Sequence, residues 1–140
     1  MADALQYDRL VTTKLACSVL LVDDEEAITT PVSGYLRRIG WLTQVAAEAE
    51  EAMALVMHRA FDLAILDLRL TRWGGGEGLA VVEEIRRLSP ATRILVLSAY
   101  VDEDAEVEAR RRGADAVLRK PQPLAAVARV GRLLMGQADA

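Results

Sequence analysis

The sequence predicts an α/β fold in which five strands alternate with five helices around a mainly parallel sheet. Three observations carry this reading. Short apolar runs recur at fairly even spacing, at Ser18–Val22, Trp41–Val45, Leu63–Leu66, Ile94–Leu97 and Ala116–Leu118. Longer stretches with helical periodicity separate them. Three of the runs, Val19–Val22, Leu63–Leu66 and Ile94–Leu97, are solidly apolar rather than alternating, which is how a strand buried on both faces reads.

Each helix has its own signal. In the first, Ile28, Val32, Leu36 and Ile39 fall at spacings of four, four and three and form one apolar stripe, closed by Gly40. Pro31 interrupts that stretch. Either the helix kinks there, or it begins with Thr30 as N-cap and Pro31 in the first helical position. The second helix is predicted over Glu48 to Arg59, with Met53, Val56 and Met57 on its apolar side. The third runs from Leu79 to Leu88 and is closed by Ser89-Pro90. In the fourth, Asp102 to Arg112, acids lead and Arg110, Arg111 and Arg112 trail, which complements the helix dipole. Glu106 can pair with Arg110 and Glu108 with Arg112, and Gly113 is the natural stop. Leu124, Val127, Val130 and Leu134 make the stripe of the fifth helix, predicted to end at Met135.

The whole 140-residue chain fits one domain. Residues 17–136 form the predicted domain, and 1–16 are expected to be an N-terminal extension, disordered or carrying a short extra helix. After the fifth helix only Gly136 to Ala140 remain, too few for a further module, so a stand-alone domain is expected. Apolar residues make up 52% but aromatics only 4%, so the core must rest on Val, Leu, Ile and Ala. A net charge of −4 argues against direct nucleic-acid or anionic-membrane binding. Cys17 is the only cysteine, which rules out an internal disulfide and suits a reducing cytoplasm. No apolar stretch approaches the ~18 residues that span a bilayer. The start of the chain also lacks the uninterrupted apolar core of a signal peptide.

In such a sheet, functional residues gather at the carboxyl ends of strands. The first strand runs into Asp23 and Asp24, the third into Asp67, the fourth into Ser98, and the fifth into Arg119-Lys120-Pro121. The second ends in Ala46-Ala47 and offers nothing. Three carboxylates that close repel one another unless a cation sits among them. Hard oxygen ligands suit Mg²⁺, and no Cys/His cluster offers a zinc site. Add the Lys120 ammonium and the Ser98 hydroxyl, and the set resembles a receptor for a transferring phosphoryl group, with Asp67 as nucleophile.

The segments VLLVDDE at 19–25, LAILDLRL at 63–70, ILVLSAY at 94–100 and GADAVLRKP at 113–121 resemble the four signature blocks of two-component response-regulator receiver domains, in order and interval, over roughly residues 17–135. The resemblance implies a flavodoxin-like (βα)5 sandwich with strand order 2-1-3-4-5, an order the family itself illustrates. It implies that Asp67 is the phosphoacceptor, that Asp24 binds Mg²⁺ directly, and that Asp23 acts mostly through metal-bound water. The backbone carbonyl of Arg69 would be a further metal ligand. Ser98 matches the switch hydroxyl, and Lys120 the lysine that pairs with the phosphoryl group. Ala99 matches a small residue that leaves room for that group. The Arg69 and Tyr100 side chains match positions that tune hydrolysis. Val117 stands where the family often has Tyr or Phe, which removes the basis for coupling through an aromatic rotamer. The loop 71–77 departs from the family pattern, lacking a Pro near Thr71 and being one residue longer.

By the same resemblance, the phosphoryl donor is a histidine kinase or a histidine phosphotransfer protein, and an unknown downstream protein reads a surface over roughly 101–135. A homodimer through the fourth helix, fifth strand and fifth helix is a further expectation. Such a protein catalyses only its own phosphorylation and dephosphorylation. Two alternatives remain open at this point. One is a degenerate receiver used only for binding. The other is an aspartyl-phosphate phosphatase, against which stands Arg69 where a second acid is needed. His58 and the Arg110–Arg112 cluster are expected at the surface, Cys17 in the interior, and Gly74–Gly76 in a flexible connection rather than a phosphate loop, since the spaced GxxxxGK[ST] pattern is lacking.

Overall fold

The computed structural model describes residues 17–68, 76–99 and 101–137. Within them lie β1 (Ser18–Val22), α1 (Glu26–Arg38), β2 (Leu42–Ala46), α2 (Ala49–His58), β3 (Leu63–Leu66), α3 (Gly76–Leu88), β4 (Arg93–Ser98), α4 (Glu103–Arg112), β5 (Ala116–Arg119) and α5 (Leu124–Leu134). The strands form one sheet in the order β2-β1-β3-β4-β5, and every pairing is parallel. That is the predicted architecture. The extension 1–16, residues 71–75 of the loop, Arg69, Trp73 and Tyr100 lie outside the described residues.

Alternation along the central strands builds two cores. Leu20, Val22, Ala64, Leu66, Ile94 and Val96 face one side, where Val56 of α2, Val81, Val82 and Ile85 of α3 and Ala109 of α4 cover them. Val19, Leu21, Leu63, Ile65, Leu95 and Leu97 face the other, under Val32 and Leu36 of α1 and Val127 and Ala128 of α5. A strand covered on both faces needs an apolar residue at every position, hence the solid runs. Each fully buried Val or Leu contributes about 1.5–3 kcal/mol.

Several element boundaries differ from expectation. α1 begins at Glu26, so Pro31 lies inside the helix, and a start at Thr30 and Pro31 is ruled out. Three residues ahead of the predicted start, α3 opens at Gly76, so the last glycine of the Gly74–Gly76 run belongs to a helix. β2 is shifted one residue along, which leaves Trp41 buried before it. Met57, expected on the inner side of α2, is exposed, because the helix is anchored by Ala52 and Val56 instead.

Other details agree. Asp102 caps α4, its carboxylate accepting from the Ala105 N–H at 2.8 Å. The pairs Arg110–Glu106 and Arg112–Glu108 form, at 3.3 and 2.8 Å. Gly113 ends the helix at φ 125°, a conformation that favours glycine. Cys17 is buried and His58 exposed. At the same end of the sheet Arg86 of α3 donates to the carbonyls of Gly113, Pro90 and Thr92 and pairs with Asp115 at 2.8 Å. Asp115 in turn accepts from the Ile94 N–H. This clasp fixes the amino ends of β4 and β5, the end of the sheet away from the carboxylates.

Candidate phosphoryl and metal site

Register decides which side chains meet. Val22 pairs with Leu66, and each is the last residue of its strand, so Asp23 and Asp67 emerge next to one another. The ladder continues one step beyond the strand ends. The Asp23 N–H donates to Ala46 O at 3.1 Å, the Asp67 N–H to Val22 O at 3.0 Å, and the Lys120 N–H to Ser98 O at 3.0 Å. The functional backbone is thus held by the sheet itself.

All four side chains converge. The Ser98 hydroxyl donates to Oδ1 of Asp67 at 2.6 Å. The Lys120 ammonium donates to Oδ2 of Asp67 at 3.0 Å and to Oδ2 of Asp23 at 2.6 Å. Oδ1 of Asp23 accepts from the Glu25 N–H at 3.0 Å. Ser98 has 0% exposure, Asp23 3% and Asp67 6%, so these bonds form in a poorly solvated environment, where charge interactions are strong. The peptide bond from Lys120 to Pro121 is cis.

Electrostatics follow from burial and crowding. Burial pushes the Asp23 carboxyl above its ordinary range, against the opposing pull of Lys120 and the Glu25 N–H, and the neighbouring Asp67 adds to the rise. For Lys120, burial alone would lower the pKa, but the hydrogen bonds to Asp23 and Asp67 outweigh it and hold the ammonium above its usual value. Lys120 is therefore a fixed cation. A single lysine does not neutralise the carboxylates around it.

The structure adds one acid that the sequence reading missed. Carboxylate oxygens of Asp23, Glu25 and Asp67 all lie within 4.8 Å of one another, a spacing and donor chemistry that fit a hard divalent cation. Asp24 is exposed and stands outside that group. The signal for Glu25 was present in the acidic run 23–26, where alternate residues of an extended turn face the same way. Of the remaining predicted positions, Ala99 is exposed just after β4, and Val117 is half-buried in β5 against the core under α2, α3 and α4. Arg69 and Tyr100 lie outside the described residues, so the expectations placed on them do too.

An apolar groove of about 160 Å³ opens beside Lys120, with Ile28 and Pro31 of α1 on one wall and Leu97, Pro121 and Leu124 on the other. No described helix is long and apolar enough to cross a membrane.

Comparison with known proteins gives a consistent result. The family model of the response regulator receiver domain matches residues 19–130. The photosynthetic apparatus regulatory protein RegA of Rhodobacter capsulatus is 38% identical over 104 residues, which are 74% of this chain and 55% of RegA. The chain thus spans about half the length of that relative. A response regulator receiver domain protein, CheY-like, from Methanospirillum hungatei superposes with a TM-score of 0.81 at 26% identity, covering 86% of this chain and 94% of that one. A response regulator from Burkholderia pseudomallei, solved with a phosphorylated aspartic acid, a calcium ion and citrate, gives a TM-score of 0.77 at 28% identity, covering 86% and 69%.

Proposed function

The chain belongs to the response regulator receiver domain family, and from that premise we propose that Asp67 accepts a phosphoryl group from a phosphohistidine donor in a Mg²⁺-dependent reaction that switches a protein-binding surface. Receiver domains are phosphoaccepting modules of two-component signalling rather than metabolic enzymes. One observation carries the assignment to Asp67. Its two carboxylate oxygens are held separately, one by the Ser98 hydroxyl and the other by the Lys120 ammonium, with acids alongside.

The chemistry is a group transfer. The donor's N–P bond breaks, a bond forms from phosphorus to a carboxylate oxygen of Asp67, and the leaving imidazole takes up a proton. Phosphoryl transfer is mostly positioning and charge neutralisation. Ser98 and Lys120 orient the carboxylate and are poised to neutralise the incoming phosphoryl oxygens. Mg²⁺, when bound, supplies Lewis-acid neutralisation of the same oxygens. We assign it to Asp24 and Asp67, with Asp23 acting through water and the Arg69 carbonyl completing the set. Both Asp23 oxygens are already engaged, by Lys120 and by the Glu25 N–H, which supports an indirect role.

A histidine kinase or a phosphotransfer protein is the donor in this reading. It must cover the mouth of the site to deliver its phosphohistidine, and the apolar groove beside Lys120 offers it a dry footing. The downstream partner, or a second copy, reads the surface of α4, β5 and α5, where Val107 and Leu133 are exposed. A cytoplasmic location suits such partners. Residues 17–136 are proposed as the receiver unit.

The test is labelling. With Mg²⁺ and a small phosphodonor, intact mass should show one added phosphoryl group. Asp67→Asn should abolish it. Labelling that persists in that variant removes Asp67 as the acceptor. Absence of labelling in the parent chain, despite Mg²⁺ binding, would return the reading to a binding-only receiver.

A further inference from the structure

We propose that Arg119 is a latch on the entrance to α4, a positioning residue that couples the state of Asp67 to that helix. This rests on the reading of Asp67 as phosphoacceptor.

Arg119 is the last residue of β5, and its register partner is Ser98, the last residue of β4. Its guanidinium Nη2 donates to the backbone carbonyl of Val101. Val101 is buried, at 4% exposure, and immediately precedes Asp102, the N-cap of α4. Two devices therefore meet at one helix end. Asp102 closes the first turn from within, and Arg119 ties the residue before it to the sheet. Bonds from a charged donor are roughly twice as strong as neutral ones.

The neighbouring residue reads the site. Lys120 grips Ser98 through its backbone N–H and holds both Asp23 and Asp67 through its ammonium. Consecutive residues, the last of β5 and the one after it, thus hold both ends of the stretch 98–101, one at the helix and one at the carboxylates. Ser98 itself donates to Asp67 Oδ1. Phosphorylation turns one carboxylate oxygen into the bridging oxygen of an acyl phosphate, a poorer acceptor, and crowds the other. The Ser98 hydroxyl then does better on a phosphoryl oxygen. Val101 lies only three residues on, a reach of at most about 11 Å, so displacement of Ser98 pulls against the Arg119 grip.

Two features suit a releasable latch. Arg119 is exposed, so letting go strands no buried charge, because water replaces the carbonyl. It is also the only polar side chain in β5, where Val117 is aliphatic and half-buried. The polar link from this strand to α4 therefore runs through Arg119.

The experiment compares the full chain with Arg119→Ala and Arg119→Lys by amide hydrogen exchange over residues 102–106, with and without Mg²⁺ and beryllofluoride as the phosphoryl mimic. Without the mimic, Arg119→Ala should exchange about fivefold faster there, the equivalent of one net hydrogen bond, while α1 is unchanged. Arg119→Lys, which keeps a charged donor, should recover most of the protection. The mimic should speed exchange in the parent chain and add little in Arg119→Ala. Equal protection in parent and Ala variants, or a full-sized response to the mimic in Arg119→Ala, overturns the latch and leaves Asp67 untouched. A parent chain that does not respond to the mimic even around Asp67 overturns the phosphoacceptor reading, and the coupling with it.

Discussion

Gly78 lies so close to the backbone of Leu68 that a Cβ added to it would stand 2.2 Å from the Leu68 carbonyl oxygen and 2.4 Å from its Cα. Leu68 follows Asp67 directly. The third helix therefore presses on the backbone beside the proposed acceptor at a point where only a hydrogen fits.

Gly78→Ala must displace either α3 or Leu68. Overpacking of this kind costs about 1–3 kcal/mol, and no flexible side chain is present to give way. We expect the variant to unfold at lower denaturant and to label more slowly at Asp67, because the displaced backbone carries the carboxylate with it. Alanine on the exposed face of the same helix, at Glu83, should leave labelling alone. Parent-like unfolding and labelling in Gly78→Ala would mean the contact is looser than observed.

Ser98→Ala removes a fully buried donor from a charged acceptor at 2.6 Å. Hydrogen bonds to charged groups contribute about 1.5–3 kcal/mol. If the hydroxyl follows the charge onto the phosphoryl oxygens, labelling by a small phosphodonor should slow by roughly 10- to 100-fold. Ser98→Thr keeps the donor and should retain most of the rate. A rate in Ser98→Ala equal to that of the parent, with the fold intact by circular dichroism, would reduce Ser98 to a structural residue.

The raised pKa of Asp23 makes a signed statement about stability. Burial lifts it, so the folded chain keeps a proton over a window where the unfolded chain has lost it. The contribution of Asp23 is full below the ordinary carboxylate value and is lost as the pH rises through the raised one. Partly exposed Glu108 has its pKa lowered by its hydrogen bond to Arg112, so it runs the other way. Denaturation midpoints measured in chelator across mild acid should therefore show the parent chain losing ground to Asp23→Asn as the pH rises through that window. Parallel curves would show that Asp23 ionises as it does in water.

How much of this was legible in the sequence depends on which force sets each feature. The alternation of strands and helices, the two-faced core and the gathering of Asp23, Asp67, Ser98 and Lys120 at one edge of the sheet follow from solid apolar runs that end in polar residues, whereas the strand order followed only from the resemblance to the receiver family. Burial enforces those runs, so they leave a mark at every position. Pro31 was harder. Local propensity favours a helix start at Thr30, but Val32 and Leu36 on the buried face hold the helix together through the proline, and tertiary packing overrides the local rule. Arg119 was illegible for another reason. An exposed arginine before a lysine carries no pattern, and its meaning comes from a carbonyl 18 residues away in the chain.

The acidic turn poses the sharpest test, because pattern and geometry nominate different residues. The family pattern gives the metal to Asp24, whereas the convergent oxygens belong to Asp23, Glu25 and Asp67. Side-chain length and prior engagement decide between them. Asp23 is committed to Lys120 and to a backbone N–H. Glu25 has an extra methylene to immobilise, and fixing a long side chain costs more rotamer entropy, up to about 2 kcal/mol. Asp24 is short and exposed at the same mouth, so an ion can draw it in cheaply. We expect Asp24→Asn to weaken Mg²⁺ binding at least tenfold, and Glu25→Gln by less than about threefold, since one lost direct ligand outweighs a small change in field. Isothermal calorimetric titration with Mg²⁺ reads both. The reverse order would mean that the ion takes the carboxylates as they already stand, with Glu25 as a direct ligand and Asp24 a bystander.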